Sequence, residues 1–339
     1  MSVPIFVEIN PGVFEDLDRV LHSNNLHFNN PLLLTGEKSF RAVKKYSIVE
    51  EHDLLILPSN INNDILLALR RKVIDDKHDV ILACGGGRVI DIGKYIASQT
   101  LIPIISAPTL LASDAISSPI SVLRVNGEYR KIGTVMPIAV IVDLSIIRDS
   151  PTEFILAGLG ELMSNISASY DWILAHKEVG EKIDYLAYSL AYMPAVSMLY
   201  SFERYSGPKD LNFLRELAYG LILSGVAMNI AHSSRPASGS EHNISHALDR
   251  ILGERRKHHG LQVGFATILT TYLQGQIKFY DKLLELYGYM GFPRTLKNIG
   301  IGEEAFLKAL LLARGIRNRY TILNKYNATK LMESINILK

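Results

Sequence analysis

A change of rhythm near residue 150 limits what this chain can fold into more than any other feature. Up to that point, short apolar runs alternate with amphipathic stretches. Residues 31–36 (Pro-Leu-Leu-Leu-Thr-Gly) and 53–58 (Asp-Leu-Leu-Ile-Leu-Pro) read as buried strands ending in turns, and 79–84, 103–106 and 139–142 repeat the pattern. Between them, Ile65, Leu66, Leu69 and Val73 recur at helical spacing with Arg70, Arg71 and Lys72 opposite, and 89–97 predicts another helix. Such alternation implies a parallel sheet with helices on both faces. Asn126-Gly127, flanked by 121–125 and 129–133, predicts a hairpin inserted into it. After Ser150-Pro151-Thr152-Glu153 the period is helical to the end, broken at Ser206-Gly207-Pro208 and Phe292-Pro293, with no strand in prospect. The expectation is an α/β, Rossmann-like parallel-sheet domain over residues 1–150 and an all-helical domain over 151–339.

Composition narrows the class. With 48% hydrophobic and 21% charged residues among 339, the chain has enough apolar matter for a sizeable core. Lys+Arg 36 against Asp+Glu 34 leaves +2, which gives no support to a nucleic-acid or membrane-surface partner. The basic run Arg255-Arg256-Lys257 has no interleaved aromatics, so it does not read as a nucleic-acid site. The single cysteine, Cys84, excludes an intrachain disulfide framework and fits a reducing interior. Residues 1–6 lack a basic segment followed by an apolar run, so no signal peptide is expected. Residues 217–231 fall short of the ~20 apolar residues a bilayer span needs and read as a buried helix. A cytoplasmic protein without membrane insertion is the expectation.

Gly85-Gly86-Gly87 joins the strand ending at Cys84 to the helix beginning near Val89. Glycines there let a ligand approach the backbone, and unpaired amides at a helix start face an anion such as a pyrophosphate. A plain strand-to-helix turn uses the same residues. Arg88 and Ile90 exclude a Gly-x-Gly-x-x-Gly fingerprint, and Tyr95 after Lys94 excludes a Walker A loop.

Residues 238–246 read Ser-Gly-Ser-Glu-His-Asn-Ile-Ser-His. His242 and His246 share one face of a helix. The spacing matches zinc proteases, yet Asn243 stands where those enzymes need a general-base Glu. His258-His259-Gly260 follow, so four of the ten histidines fall within eighteen positions. A third ligand has to come from elsewhere. Glu161, in Gly158-Leu159-Gly160-Glu161, offers a carboxylate, or else faces the positive end of a helix. Two imidazoles, a carboxylate and an open position suit catalytic Zn²⁺ or Fe²⁺. Asp114, in the stretch from Thr109 to Ser118 beyond the strand at 103–106, binds a hydroxyl group or caps a turn.

Together these segments resemble the sn-glycerol-1-phosphate dehydrogenase family, part of the superfamily that also holds glycerol dehydrogenase, iron-dependent alcohol dehydrogenases and dehydroquinate synthase. The resemblance runs from about residue 30 to 270. It is carried by Gly85-Gly86-Gly87-Arg88-Val89-Ile90-Asp91, by Ala107-Pro108-Thr109 through Ser118, by residues 240–246 and by His259-Gly260-Leu261-Gln262-Val263-Gly264. The sister families fit less well. Ser117-Ser118-Pro119 replaces the Gly-Gly-Lys-Thr-Gly-type segment of dehydroquinate synthase, and Ala247-Leu248-Asp249 the Pro-Leu-Gly-like stretch of the iron-dependent alcohol dehydrogenases.

The resemblance implies a dehydroquinate synthase-like fold with the active site in the cleft between the halves. It implies coenzyme contacts from Gly86, Gly87, Arg88, Val89, Ile90 and Asp91, and from Thr109, Leu110, Leu111, Ala112 and Ser118. It implies metal ligation by Glu161, His242 and His259, with Glu161 standing where most relatives have Asp. Asp114 and His246 match substrate-contacting positions, His246 as a proton relay. The implied activity is NAD(P)-dependent, metal-dependent, reversible reduction of dihydroxyacetone phosphate to sn-glycerol 1-phosphate for ether phospholipids, with glycerol dehydrogenase or a dehydroquinate synthase-like lyase as the alternatives. One divalent ion, zinc ahead of iron, and a homo-oligomer complete the expectation. Glu37 followed by Lys38 and Arg41 predicts that NAD and NADP are both accepted. Arg124, Lys131, Arg235 and Lys257 are candidate donors to the substrate phosphate.

Overall fold

The computed structural model describes residues 3–46 and 52–339, so Met1 and Ser2 of the opening segment lie outside the described residues. The chain divides into two compact units, Met1–Pro151 and Thr152–Lys339.

Runs such as Pro-Leu-Leu-Leu have no polar face, so they are stable only when covered on both sides. In the first unit they become the strands of a parallel sheet. In chain order these are β1 (Phe6–Asn10), β2 (Pro31–Gly36), β3 (Asp53–Leu57), β4 (Val80–Gly85) and β5 (Ile104–Pro108). The hairpin strands β6 (Ile120–Val125) and β7 (Glu128–Gly133) precede β8 (Ala139–Asp143). The six-stranded sheet has the order β1-β8-β5-β4-β2-β3, every neighbouring pair parallel. All residues of β4, β5 and β8 are buried. Helices α1 (Leu17–Ser23), α2 (Glu37–Val43), α3 (Asn63–Asp75) and α4 (Gly87–Thr100) connect the strands, and α5 (Leu144–Asp149) follows β8. The direction of winding reverses between β2 and β4, so the glycine turn after β4 opens at the switch point, where such sheets take ligands. β6 and β7 pair antiparallel around Asn126 (φ 53°) and Gly127 (φ 83°), the left-handed pair a two-residue hairpin requires. The edge strand β1 was not foreseen. It is short, half-buried and carries Glu8 and Asn10, so it lacks the apolar signature of the inner strands.

The second unit has no strand among the described residues. Its helices are α6 (Thr152–Val179), α7 (Tyr185–Ser201), α8 (Leu211–Ile230), α9 (Ser240–Leu252), α10 (His259–Leu273) and α11 (Ile277–Met290). Three shorter ones follow: α12 (Leu296–Ile299), α13 (Glu303–Ala313) and α14 (Ala328–Ser334). α8 is long and apolar enough to cross a membrane by length and composition, and 67% of its most apolar window is buried inside the protein. α6 is the axis of the unit: from Ala157 to Ser169 every residue is buried. It crosses α10 at glycine on both sides. A Cβ on Gly160 would lie 2.2 Å from the Gly260 carbonyl oxygen, and one on Gly264 would lie 2.4 Å from the Gly160 Cα. The crossing sets Glu161 on α6 close to His259 at the start of α10.

Candidate metal centre and coenzyme loop

Glu161, His242 and His259 converge from α6, α9 and α10, each offering one ligand atom, all within 4.8 Å of one another. The Glu161 carboxylate lies 3.7 Å from His242 Nε2, and its second oxygen, Oε2, is buried without a hydrogen-bond partner. An orphaned carboxylate oxygen beside two imidazoles fits a divalent ion. Burial works to raise the Glu161 pKa, but the facing His242 and the nearby imidazoles outweigh it and hold the carboxyl below its ordinary value. Burial pushes His259 down to about 4, against the pull of Glu161. Metal ligands must be deprotonated, so these two already stand in the binding form. His242 moves upward despite burial because Glu161 and Glu241 flank it.

The ring orientations are fixed from behind. His242 Nδ1 pairs with Glu241 Oε1 at 2.9 Å, leaving Nε2 toward Glu161. Glu241 Oε1 also accepts from the Gly239 amide at 2.6 Å. His259 Nδ1 meets Ser245 Oγ at 3.0 Å, and Gln262 Nε2 donates to that hydroxyl at 3.1 Å and to Asp249 Oδ1 at 3.0 Å. Partners of this kind set the tautomer of a ligating imidazole. Glu241 was legible as part of the Ser-Gly-Ser-Glu-His run. Ser245 and Gln262 lay inside the runs at 240–246 and 259–264 but were assigned no role there. His246, about a third exposed, stacks on His259 with centroids 5.6 Å apart and lies 4.0 Å from Asp249.

At the glycine turn, a Cβ on Gly85 would meet Val89 at 2.7 Å, so that glycine is required by packing. Leu110 lies 3.1 Å from a would-be Cβ on Gly86, while the corresponding position on Gly87 has only ordinary contacts with Ala115 and Ser113. The amides of Val89 and Ile90 bond to the Gly86 carbonyl, which leaves Gly87 and Arg88 as the first-turn donors. Ile90 is wholly buried, so only its backbone can face a ligand. Arg88 donates to the Pro58 and Ser59 carbonyls at 2.6 and 3.1 Å, on the side of Glu37, which accepts from Ser59 Oγ at 3.3 Å. Asp91 turns away from the glycines: its carboxylate pairs with Lys94 at 2.9 Å and accepts from the Val122 amide at 3.0 Å.

Sequence reasoning did not single out Lys94. Its ammonium, fully buried, donates to the carbonyls of Ala115, Ser118 and Ile120 at 2.9, 3.1 and 2.6 Å. It thereby fixes the loop that carries Asp114, whose own carbonyl accepts from the Ser117 and Ser118 amides at 3.0 Å. In the same loop the Thr109 amide donates to the Gly85 carbonyl at 3.1 Å, Leu111 and Ser118 are buried, and Ala112 is half-buried.

The candidate phosphate donors scatter. Arg124 lies over the Tyr129 ring within the β6–β7 hairpin, and Lys131 stands exposed on β7. Lys257 lines a cavity of about 440 Å³ with Glu153, Phe292 and Arg294. Arg235 is buried and committed: Nε donates to Glu181 at 2.6 Å and Nη1 to the Tyr320 carbonyl at 3.0 Å. Its charge is paired with Glu181 inside the protein, which removes the ground for reading it as a phosphate ligand.

Residues 8–151 match the family model described as iron-containing alcohol dehydrogenase. A glycerol-1-phosphate dehydrogenase (NAD(P)+) of Archaeoglobus fulgidus is 37% identical over 97% of this chain and 95% of its own. The Pyrococcus furiosus protein of the same name is 35% identical over the same shares, 97% and 95%. In fold, the chain matches glycerol dehydrogenase from Schizosaccharomyces pombe with a TM-score of 0.77 at 18% identity, covering 100% of this chain and 89% of that one. A probable glycerol dehydrogenase from Sinorhizobium meliloti 1021 gives 0.75 at 18%, covering 100% and 97%. At that level the likeness speaks for the fold, whereas the full-length identity to the first two shows that this chain belongs to the glycerol-1-phosphate dehydrogenase (NAD(P)+) family.

Proposed function

We propose that the chain catalyses the reversible reduction of dihydroxyacetone phosphate to sn-glycerol 1-phosphate with NADH or NADPH, and so supplies the backbone of ether phospholipids. The observation that carries this reading is the Glu161–His242–His259 cluster in a chain of this family. A divalent ion held there, zinc in our assignment, supplies Lewis acidity toward the carbonyl that accepts the hydride. The coenzyme supplies the hydride itself.

The remaining tasks fall to the protein. Glu241 and Ser245 hold His242 and His259 in one rotamer and tautomer. His246, beside the cluster yet partly open, exchanges the proton that the reduced oxygen needs, with Asp249 behind it. Gly86, Gly87 and Arg88 offer a backbone-lined turn to the pyrophosphate. Lys94 keeps Asp114 and Ser118 in place beside that turn. Glu37 at the start of α2 meets the ribose, and Arg88, Lys38 and Arg41 offset a 2′-phosphate, so both coenzymes are accepted. Exposed Tyr185, Leu186, Met193 and Tyr200 on α7 form an apolar face that supports a homo-oligomer.

The test is oxidation of NADH and of NADPH by dihydroxyacetone phosphate, before chelation, after it, and after zinc or iron add-back. Turnover is expected to vanish and return with the metal, and His242→Ala to abolish both metal retention and turnover. Normal turnover in metal-free His242→Ala protein would overturn the reading.

A further inference from the structure

Two arginines beyond α13 have no part in the account so far. Arg317 donates from Nε to Asn243 Oδ1 and from Nη2 to Ser238 Oγ, both at 2.9 Å. Arg319 donates from Nη1 to the Ser238 carbonyl at 2.6 Å and from Nη2 to Ser234 Oγ at 3.2 Å. Every one of these acceptors is neutral. The guanidinium beside them, Arg235, pairs with Glu181, and the carboxylate whose charge reaches Arg317 is Glu241, already engaged by His242 Nδ1 and the Gly239 amide. Burial, then repulsion among the three cations, brings Arg319 down to about 10, and burial likewise lowers Arg317 to about 10. Two half-buried cations that share one already engaged carboxylate are under-compensated, and an anion would complete the group.

The same spot holds unspent donors. Asn243 Nδ2 and Ser240 Oγ are buried with no hydrogen-bond partner, although the Asp171 carboxylate stands beside Ser240, whose amide donates to it at 2.7 Å. Because Asn243 Oδ1 accepts from Arg317, the other end of that amide is its NH₂, so the orphan is a donor. Each guanidinium has five N–H groups and uses two. Ser240 and Asn243 stand three apart on α9, and Asn243 adjoins the metal ligand His242.

We propose that Arg317 and Arg319, with Ser240 and Asn243, form the subsite that receives the phosphate group of the substrate. The inference rests on the reading of the substrate as a phosphorylated triose. Guanidinium forks match a phosphate's oxygens two at a time, which an isolated lysine cannot do. The subsite also accounts for discrimination: a triose without phosphate would leave both arginines under-compensated.

The experiment compares wild type with Arg319→Gln and Arg317→Lys, as full-length metal-loaded enzymes, using dihydroxyacetone phosphate and unphosphorylated dihydroxyacetone. Metal content and melting temperature are measured alongside. Loss of a charge-assisted contact predicts a fall of about 10–100-fold in kcat/KM for the phosphorylated substrate, chiefly through KM, with dihydroxyacetone little changed. Inorganic phosphate should compete with dihydroxyacetone phosphate in wild type and lose that competition in both variants. Parallel losses on both substrates, unchanged kinetics, or non-competitive phosphate inhibition would each overturn the subsite. If wild type does not reduce dihydroxyacetone phosphate, the proposed function fails first. Calorimetric titration with inorganic phosphate then decides the subsite separately: binding lost in Arg319→Gln supports it, and binding unchanged ends it. Should Arg319→Gln fold poorly, Arg317→Lys keeps the charge, loses the fork and carries the same comparison.

Discussion

Gly160→Ala isolates the feature on which the proposed metal centre depends. The added methyl would sit 2.2 Å from the Gly260 carbonyl oxygen, about 1.2 Å inside ordinary contact at 3.4 Å, and 3.0 Å from the Phe292 ring. Neither obstacle is a flexible side-chain end, so α6 and α10 must part. Overpacking of this kind costs about 1–3 kcal/mol, and alanine returns about 1 kcal/mol over glycine inside a helix. The net loss is at most about 2 kcal/mol, or up to roughly 8 °C in Tm for a unit of this size. The effect on the site is larger than the effect on the fold. Ligand distances tolerate only about 0.2 Å, several times less than the parting required, and the two helices carry Glu161 and His259 respectively. Metal analysis after dialysis and a competition titration should show affinity weakened by at least about 100-fold, with turnover falling in step. Gly93→Ala is the control. Its methyl meets Ala83 and Ile104 at 2.9 Å in the α/β unit, so it should lower Tm comparably and leave metal content intact. Full metal occupancy and near-normal turnover in Gly160→Ala, at a Tm matching the control, would refute the reasoning.

Three further outcomes follow from the packing. Lys94→Met strips the ammonium from three carbonyls and Asp91, and should cost about 3–5 kcal/mol with a raised coenzyme KM and unchanged metal content; an unchanged KM would disconnect the loop from coenzyme binding. Arg235→Met should lower stability in chemical denaturation by about 2 kcal/mol, less than a fully buried pair because Glu181 is a third exposed, while phosphate competition persists. Burial and the neighbouring Glu241 charge push Asp171 up to about 6. Since that lies above the unfolded value of about 3.9, ionising it subtracts stability as pH rises from about 4 to about 6, and the full penalty of roughly 2–3 kcal/mol stands at higher pH. In metal-free protein, the carboxyl carbon signal that disappears in Asp171→Asn should titrate near 6, and a midpoint below 4 would contradict this.

The α/β half was readable because its inner strands are apolar on both faces, a pattern no exposed element can carry. β1 escaped because an edge strand needs no such run, and its Glu8 and Asn10 read like a loop. The proposed ligands stood out for a different reason: clustered imidazoles and a carboxylate beside glycines are chemically conspicuous, and the family resemblance selected His242 and His259 among the four histidines. What holds them did not stand out. Asp91 and Lys94 stand three apart, the spacing of an ordinary surface ion pair, and only the fold reveals that both are buried. Gly160 and Gly264 are visible as helical glycines, but nothing in a linear sequence couples positions 104 residues apart. Arg317 and Arg319 sit beyond α13 in a segment without a motif, and their proximity to Ser238 and Asn243 exists only once α9 is packed.

The centre therefore divides its construction between two kinds of interaction, and the division is open to test. Glycine contacts set the distance between helix backbones, and hence between Glu161 and His259. Hydrogen bonds to Glu241 and with Ser245 set the rotation of each ring about its own bond. A backbone error moves a ligand out of reach, whereas a lost outer bond leaves it in reach but free to turn. Glu241→Gln should accordingly retain a metal ion that Gly160→Ala releases, with affinity reduced by about 10–100-fold, because the amide oxygen still accepts from Nδ1 but no longer carries the charge that favours it. Metal analysis of the two variants under the same dialysis distinguishes the roles. If Glu241→Gln loses its metal as completely as Gly160→Ala, ring orientation matters as much as helix spacing, and the two contributions are not separable.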